Sequence, residues 1–294
     1  MNQTKSLQSR NKWIILAILF IVPVAFITTG VTISKKKMYQ ETGITIKHYN
    51  VNSKHDGTSM ALNYIIPSSE KASQISQSGE EVKIGAIVAH GYTSDRWGVH
   101  NLGLSLARVG IQVAAMDFRG HDDSYGDLSA TRANGSPKEQ EAYNVTADDM
   151  LTVWNFLKNQ GCTHIFTVGH SMGGYTTTRF AMKYPSHTNA TILLGSTMPY
   201  IGTDLNTTTP PNFLVVMGEQ EELFPVSSLI NSVKNTTNRE DVELGTIYGN
   251  FTENTARMGK IVGEEGLYLG HISEPLTARF FVPVLDSVNN TYTA

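Results

Sequence analysis

Short apolar runs alternate with helix-length stretches along the chain from Gly43 onward. This alternation favours an α/β fold, because strand and helix patterns follow each other repeatedly. Continuous apolar runs are typical of parallel strands that are covered on both faces. Such buried strands are expected at Ile84–Ala89, Gln112–Asp117, His164–Gly169, Thr191–Leu194 and Phe213–Met217.

Two extended runs, 44–51 and 59–66, come earlier and surround a turn-like sequence at Gly57, which predicts an opening hairpin. The polar stretch 68–82 is interpreted as an exposed loop. A helix is predicted to begin near Ser136, because Ser136 can cap it, Pro137 suits its first turn and Glu139 completes a capping box. Its apolar face is interpreted as core rather than cofactor contacts, and comprises Tyr143, Ala147, Met150, Leu151, Trp154 and Leu157.

The N-terminal region has a different pattern. Trp13–Ile33 contains no charged residue, and its twenty-one residues are long enough to cross a hydrocarbon core of about 30 Å. We therefore expect a tail at 1–12, a transmembrane helix at 13–34, a basic tether at 35–42 and a globular domain at 43–294. A cleaved signal peptide is the main alternative, but no A-x-A-like site precedes Lys35. A buried core helix is disfavoured because the segment is apolar on all sides.

The orientation of this anchor does not follow from the flanking charges, because three basic residues lie on each side of it. Eight N-x-S/T sequons occur, where the composition predicts about four. The excess favours a single-pass protein whose globular domain is extracytoplasmic. An Asn- and Thr-rich surface is the alternative explanation.

Composition and charge exclude several classes of protein. Hydrophobic residues make up 40% of the 294, which is enough for a sizeable core and excludes a disordered chain. The formal net charge of -3 offers no basic surface for a nucleic acid. Cys162 is the single cysteine, so the chain cannot form an intramolecular disulfide, and we interpret Cys162 as structural.

The strongest chemical signal is the G-x-S-x-G sequence Gly169–Gly173, centred on Ser171. It directly follows a predicted strand and precedes a helical run, which is the setting of a nucleophile elbow. The two glycines are needed because strand and helix approach closely at so tight a turn. Ser171 is therefore the candidate nucleophile.

A serine hydroxyl needs a base that is oriented by a carboxylate. In the chain order Ser, acid, His, only His187 and His271 follow Ser171, and His187 is too near in sequence. His271 is therefore the candidate base. Glu221 is the preferred acid, since it lies just beyond a predicted strand, and Glu222 is second. Glu219 and Asp204 are less favoured.

An acyl-transfer reaction also needs backbone donors for the oxyanion, each contributing about 3–4 kcal/mol. Met172, directly after the nucleophile, supplies one candidate N–H. The loop after Ile84–Ala89 supplies the other at Tyr92, where Gly91 permits a close backbone approach. His90 is interpreted as a support for this loop rather than as a catalytic group.

These segments resemble the α/β-hydrolase superfamily over about residues 80–290. The matching sequences are His90-Gly91-Tyr92, Asp117–Ser124, Gly169–Gly174, Gly218–Glu221 and Gly270-His271. Where the family usually has D-x-R-G-H-G-x-S, Asp122 here replaces a glycine, a change expected to be structural. The acid position holds Glu, where the family more often has Asp.

The resemblance implies an α/β-hydrolase fold with a mostly parallel sheet and helices on both faces. It implies that Ser171 attacks an acyl substrate, that His271 transfers the proton, and that Glu221 orients the His271 imidazole. It implies no cofactor. No metal is expected either, because His121-Asp122-Asp123 lacks companions at ligand spacing. The chain is most similar to monoacylglycerol-lipase-like esterases and serine aminopeptidases, and the Tyr92 and Met172 pair is also similar to cutinase-like polyester hydrolases.

Three functions follow from this pattern. The first is a membrane-anchored esterase that acts on small or lipid-like acyl esters. An amidase or aminopeptidase of the same fold is the second. An inactive membrane-bound binding module is the third and least favoured.

Two spacings bear on access to the site. Only about sixteen residues, Ser196–Pro211, separate the last two predicted strands, so little or no cap domain is expected. The longer interval before His271 contains a Gly- and Thr-bearing stretch, Thr246–Gly266, that is expected to form a hairpin beside the pocket.

The predicted anchor can be tested by fractionation. The full chain should remain with membranes after alkaline carbonate extraction, because about twenty apolar residues are buried in lipid, whereas a 35–294 fragment should stay in the supernatant. Release of the intact full chain by carbonate would contradict an anchor. A mature chain shortened near residue 35, detected by its mass, would instead identify a cleaved signal peptide.

Overall fold

A computed structural model describes residues 43–69, 82–128, 137–196, 213–218, 243–245 and 256–261. Within them lie nine strands and three α-helices. The strands are β1 (Thr45–Asn52), β2 (Ser59–Ile66), β3 (Ile84–Ala89), β4 (Gln112–Met116), β5 (His164–His170), β6 (Thr191–Leu194), β7 (Phe213–Gly218), β8 (Glu243–Gly245) and β9 (Ala256–Ile261). The helices are α1 (His100–Arg108), α2 (Pro137–Asn159) and α3 (Met172–Lys183), and a short 3-10 helix spans Pro185–His187.

The strands form one sheet in the order β1-β2-β4-β3-β5-β6-β7-β9-β8. β1 and β2 are an antiparallel hairpin in which Asn52 pairs with Ser59, and β2 is antiparallel to β4. The remaining strands are mutually parallel. The mostly parallel sheet and the opening hairpin expected from the sequence are both confirmed.

Because the strands from β3 to β9 run in one direction, their carboxyl ends share one edge of the sheet. Ligands bind at this edge in open α/β sheets. The connections that leave it after β3, β4 and β5 begin at His90, Asp117 and Ser171. The topology therefore gathers the candidate site residues from separate parts of the chain.

Helices cover the sheet on both faces. α2 and α3 pack over one face, where Ile87, Ala114 and Met116 of the strands belong to the same buried cluster as Met150 and Phe180 of the helices. α1 covers the opposite face, and at Gly103 a side chain would overlap Ile65 and contact Val113. Two-sided burial explains why these strands have continuous apolar sequences.

The apolar face predicted for α2 is part of the core. Tyr143, Ala147, Met150 and Leu157 are buried in the main cluster, and Leu151 and Trp154 pack against it. The interpretation of these positions as core is confirmed. The proposed cap Ser136 and the loop region 70–81 lie outside the described residues.

The prediction of a hairpin in Thr246–Gly266 is wrong for β9, the strand that lies in this range. Ala256–Ile261 instead pairs in parallel with β7 on one side and β8 on the other. Its sequence, ARMGKI, lacks a continuous apolar run, so the sequence pattern did not indicate a sheet strand. The strand extends the parallel part of the sheet beyond β7.

A buried ion pair joins the hairpin, the connection after β4 and helix α2. Arg119 donates to both carboxylate oxygens of Asp149 at 2.7 Å, and the Ser53 hydroxyl donates to Asp149 at 2.5 Å. Arg119 also donates to Asp56 at 2.9 Å. A buried charge without a partner is costly, so these groups hold the connection after β4 against α2.

Two of the eight sequons lie in the described residues, and both have structural roles. Asn144 accepts a hydrogen bond of 2.5 Å from Arg179, and the hydroxyl of its sequon partner Thr146 is buried. Asn189 accepts one of 2.9 Å from the Ile165 N–H, and Thr191 is buried. These two sequons therefore do not by themselves favour an exterior domain.

The predicted membrane segment at 13–34 lies outside the described residues. Among the helices that the structure describes, none combines the length and the apolar character that a membrane span requires.

Candidate active site

Ser171 occupies the single residue between the end of β5 and the start of α3. Its backbone has φ 52° and ψ -118°, a conformation that a residue with a side chain rarely adopts. The Ser171 N–H donates to the Leu194 carbonyl at 3.1 Å, and the Ser171 carbonyl accepts from Ser196 Oγ at 2.7 Å. The end of β6 and Ser196 thus hold Ser171 in a strained backbone conformation, whose cost is of order 1–3 kcal/mol.

The glycines around Ser171 are required by close backbone contacts. A side chain on Gly169 would overlap the carbonyl of Gly173, and one on Gly173 would overlap the carbonyl of Ala89. At Gly174 it would collide with Ser196. The G-x-S-x-G-G pattern is therefore explained by the crossing of β5, α3 and the end of β3.

The loop after β3 passes directly beside Ser171, the candidate nucleophile. A methyl group built on Gly91 would lie 3.3 Å from Ser171 Cβ and 3.1 Å from His170 Nδ1. Tyr92 follows at once and is half-buried against the main core cluster. The structure thus brings together Ser171, Met172, Gly91 and Tyr92 from the sequence-predicted site.

His90 is completely buried and connects this loop to the next one. Its Nε2 accepts a hydrogen bond of 3.1 Å from the Phe118 N–H, so Nδ1 carries the proton and donates to the Gly91 carbonyl at 2.7 Å. Burial lowers the pKa of His90 to about 3, although the bond to Gly91 opposes this effect. His90 is therefore a neutral side chain that orients the loop beside Ser171.

A second buried side chain in the same loop, Arg96, was not identified from the sequence. Its guanidinium contacts Asp117 and Asp123 and donates to Asp122 at 2.9 Å and to Asn63 at 3.1 Å. The Arg96 N–H also donates to Asp117 at 2.6 Å. Burial raises the pKa of Asp117 to about 6, and Arg96 opposes this rise. No local motif indicates these contacts, because the partners lie in strand β2 and in the loop after β4, far from Arg96 in sequence.

Asp122 shows why the family pattern usually has glycine at this position. Its φ is 42°, in the left-handed region that glycine adopts most easily. Aspartate tolerates this region better than most residues, and here its carboxylate also pairs with Arg96. The replacement of glycine by Asp122 therefore adds a contact between two loops at the cost of local strain.

The acid and base candidates lie outside the described residues, as do the alternatives Glu219, Glu222 and Asp204. Their carrier strands are described, however. β7 ends at Gly218, shortly before Glu221, and β9 ends at Ile261, before His271. Both strands are parallel to β5 within one sheet, so their chains leave at the edge that carries Ser171.

The sheet order, the helices on both faces and the strained serine between β5 and α3 define an α/β hydrolase. The chain belongs to the serine aminopeptidase S33 family, whose sequence model matches residues 80–248, more than half of its length. No curated protein sequence matches the chain.

Solved structures show the same fold. A predicted CIB-like hydrolase from Thermoplasma acidophilum has a TM-score of 0.58 at 16% identity, over 84% of this chain and 99% of its own. An α/β serine hydrolase without a lid from Xanthomonas campestris has 0.54 at 14% identity, over 82% and 94%. An esterase from Pyrococcus furiosus has 0.50 at 14% identity, over 87% and 92%.

Steric crowding at Gly173 leads to a testable result. Gly173→Ala should lower the free energy of unfolding by about 3 kcal/mol, because the new methyl group meets main-chain atoms that cannot rotate away. Gly57→Ala is the matched control. Gly57 has φ 79°, and a methyl group built on it would have no atom within 4 Å apart from its chain neighbours, so only backbone strain of about 1 kcal/mol is expected. Equal urea midpoints for the two variants would contradict the crowding.

The neutral state of His90 predicts a pH dependence of stability. Its pKa is about 3 in the folded protein and about 6.5 when unfolded, so the unfolded state binds more protons between these values. Stability should therefore fall as the pH falls through this range, by up to about 1.4 kcal/mol per pH unit from this residue.

The variant His90→Gln isolates this contribution. Glutamine can still accept from the Phe118 N–H but does not titrate, so the free energy of unfolding should decline less steeply between about pH 6 and 4. Urea titrations at several pH values measure this difference. Identical slopes for the two proteins would show that His90 is not held neutral.

Proposed function

We propose that this protein is a serine hydrolase that cleaves carboxylic esters through an acyl-enzyme intermediate, with Ser171 as the nucleophile. The observation that carries the proposal is the backbone of Ser171, which is held at φ 52° between β5 and α3 with Gly91 beside its side chain. Strained residues persist where the surrounding structure enforces them, and they cluster at active sites.

The proposed oxyanion hole combines the N–H groups of Met172 and Tyr92. Met172 is the first residue of α3, and a helix N-terminus carries partial positive charge. Tyr92 follows Gly91, whose backbone approaches Ser171 from the end of β3. Donors that come from two different elements can meet one oxygen from two directions. Removal of one such donor typically lowers kcat by about 10²–10³-fold.

His271 and Glu221 complete the proposed triad. The order Ser, acid, His matches the order of the carrier strands β5, β7 and β9, whose carboxyl ends share one sheet edge. In this arrangement His271 removes the proton from Ser171 Oγ, and Glu221 holds the imidazole in the required orientation.

The reaction proceeds in two acyl transfers. Ser171 Oγ bonds to the carbonyl carbon of the ester, and the alcohol leaves with the proton that His271 took from the serine. Water then gives a proton to His271 and attacks the acyl-enzyme. The carboxylic acid is released, and Ser171 recovers its proton from His271.

An aminopeptidase or amidase is the second candidate function, and the match to the serine aminopeptidase family favours it specifically. The same nucleophile and oxyanion hole serve both reactions. They differ in the leaving group, because an amine must be protonated as it departs whereas an alcohol leaves more readily. We favour the ester because its alcohol leaves with less help from a general acid than an amine needs.

The proposal extends to the setting of the site. A transmembrane helix at 13–34 would tether the domain, and the remaining sequons would be consistent with an extracytoplasmic location. The short connection between Leu194 and Phe213 leaves little sequence for a cap, which supports an open site. A small or lipid-like acyl ester at a membrane surface fits this setting.

A fluorophosphonate probe tests the nucleophile. The wild-type chain should be labelled covalently and should hydrolyse p-nitrophenyl acyl esters, while Ser171→Ala should lose the label and at least about 10³-fold of the rate. Labelling that persists in Ser171→Ala would exclude Ser171. A wild-type chain that neither reacts nor hydrolyses would instead indicate the inactive binding module.

The same preparation distinguishes the two substrate classes. Parallel assays with p-nitrophenyl esters of increasing acyl length and with amino-acid anilides should give a higher kcat/KM for the esters. A higher kcat/KM for the anilides would favour the aminopeptidase. Both activities must disappear together in Ser171→Ala if one nucleophile performs them.

A further inference from the structure

The inference concerns His121, in the connection after β4, and it rests on the function proposed above. Its Nε2 lies 2.6 Å from the Tyr92 carbonyl oxygen, and its Nδ1 lies 3.2 Å from the Arg119 carbonyl oxygen. The ring is also nearly perpendicular to the Tyr92 ring, with centroids 5.8 Å apart. Both neighbours are carbonyl oxygens, which only accept hydrogen bonds, so an imidazole with one N–H can donate to only one of them. The shorter contact assigns the proton to Nε2, which donates to the Tyr92 carbonyl.

The two peptide groups on either side of Tyr92 are held by different partners. The peptide that contains the Tyr92 N–H has the Gly91 carbonyl at its other end, and this oxygen accepts bonds from His90 at 2.7 Å and from the Ser94 N–H at 3.1 Å. The following peptide is held through the Tyr92 carbonyl by His121. Together these bonds set both backbone dihedral angles of Tyr92.

His121 is itself firmly supported by the loop that carries it. Its N–H donates to the Phe118 carbonyl at 3.0 Å, and its carbonyl accepts from the Ser124 N–H at 2.9 Å. The next two residues, Asp122 and Asp123, both pair with Arg96 of the neighbouring loop. The imidazole therefore projects from a braced turn rather than from a free loop.

We propose that His121 is a positioning residue of the oxyanion hole. It holds the Tyr92 carbonyl, which fixes the peptide after Tyr92 and so helps to orient the Tyr92 N–H. His121 does not contact the reacting atoms; it acts through Tyr92. Oxyanion donors are effective only when they are aimed in advance at the place where charge develops. Loss of this support should lower kcat by roughly 10- to 100-fold, with little change in KM, because misplacement of about 1 Å has effects of this size.

Two variants separate positioning from simple packing. His121→Leu keeps most of the volume but removes the donor. His121→Gln keeps an N–H donor at nearly the position of Nε2 and should retain kcat within a few-fold of the wild type. His187→Leu is the matched control, because His187 is a half-buried histidine that contacts Trp154 and Tyr184 at the far end of α3. It should leave kcat unchanged.

The experiment measures kcat and KM for p-nitrophenyl butyrate, the rate of labelling by a fluorophosphonate, and the melting temperature of each variant. We expect the leucine variant to lose rate in both reactions while the glutamine and control variants do not. If His121→Leu does not fold, His121→Asn replaces it, because its shorter amide reaches towards Arg119 but not to Tyr92.

Several results would overturn the inference. A leucine or asparagine variant with wild-type kcat would show that His121 does not orient Tyr92. So would a glutamine variant that loses as much rate as the leucine variant, since a restored donor should restore the rate. A loss confined to KM would also contradict it. Failure of the proposed function looks different, because the wild-type chain itself would then show neither hydrolysis nor labelling.

Discussion

The close approach of three backbone segments at Ser171 is the constraint on which the rest of the site depends. The end of β5, the first turn of α3 and the end of β3 lie so near that side chains at Gly169 or Gly173 would overlap main-chain atoms. The chain therefore passes from strand to helix within one residue. Ser171 takes the resulting strain, and the end of β6 holds it there through Leu194.

Hydrogen bonds and ion pairs between polar groups connect the loops after β3 and β4. His90 and Arg96 reach from the first loop to the backbone and carboxylates of the second, and His121 reaches back to the Tyr92 carbonyl. Buried polar groups are stable only when they are paired, so these contacts fix the two loops relative to each other. The backbone beside Ser171 is consequently held by side chains from two separate loops.

The sequence predicted the strands well where both faces of the strand are buried. Strands such as Ile84–Ala89 and Thr191–Leu194 have the bounds that their apolar runs predicted, because a strand between two helical layers has no polar face. Ala256–Ile261 was not recognised, because its mixed sequence has neither a continuous apolar run nor a clear alternation. Its place in the sheet follows from pairing with β7, which is a long-range contact.

The sequence by itself determined what is local: a serine between glycines after a strand, and a following helix. These depend on sterics within a few residues. Only the tertiary structure decided the partners of Arg96 and His121 and the role of Asp122 at φ 42°. The physical reason is that β3 and β4 are adjacent in the sheet, which places side chains from separate loops within hydrogen-bond distance although no sequence spacing relates them.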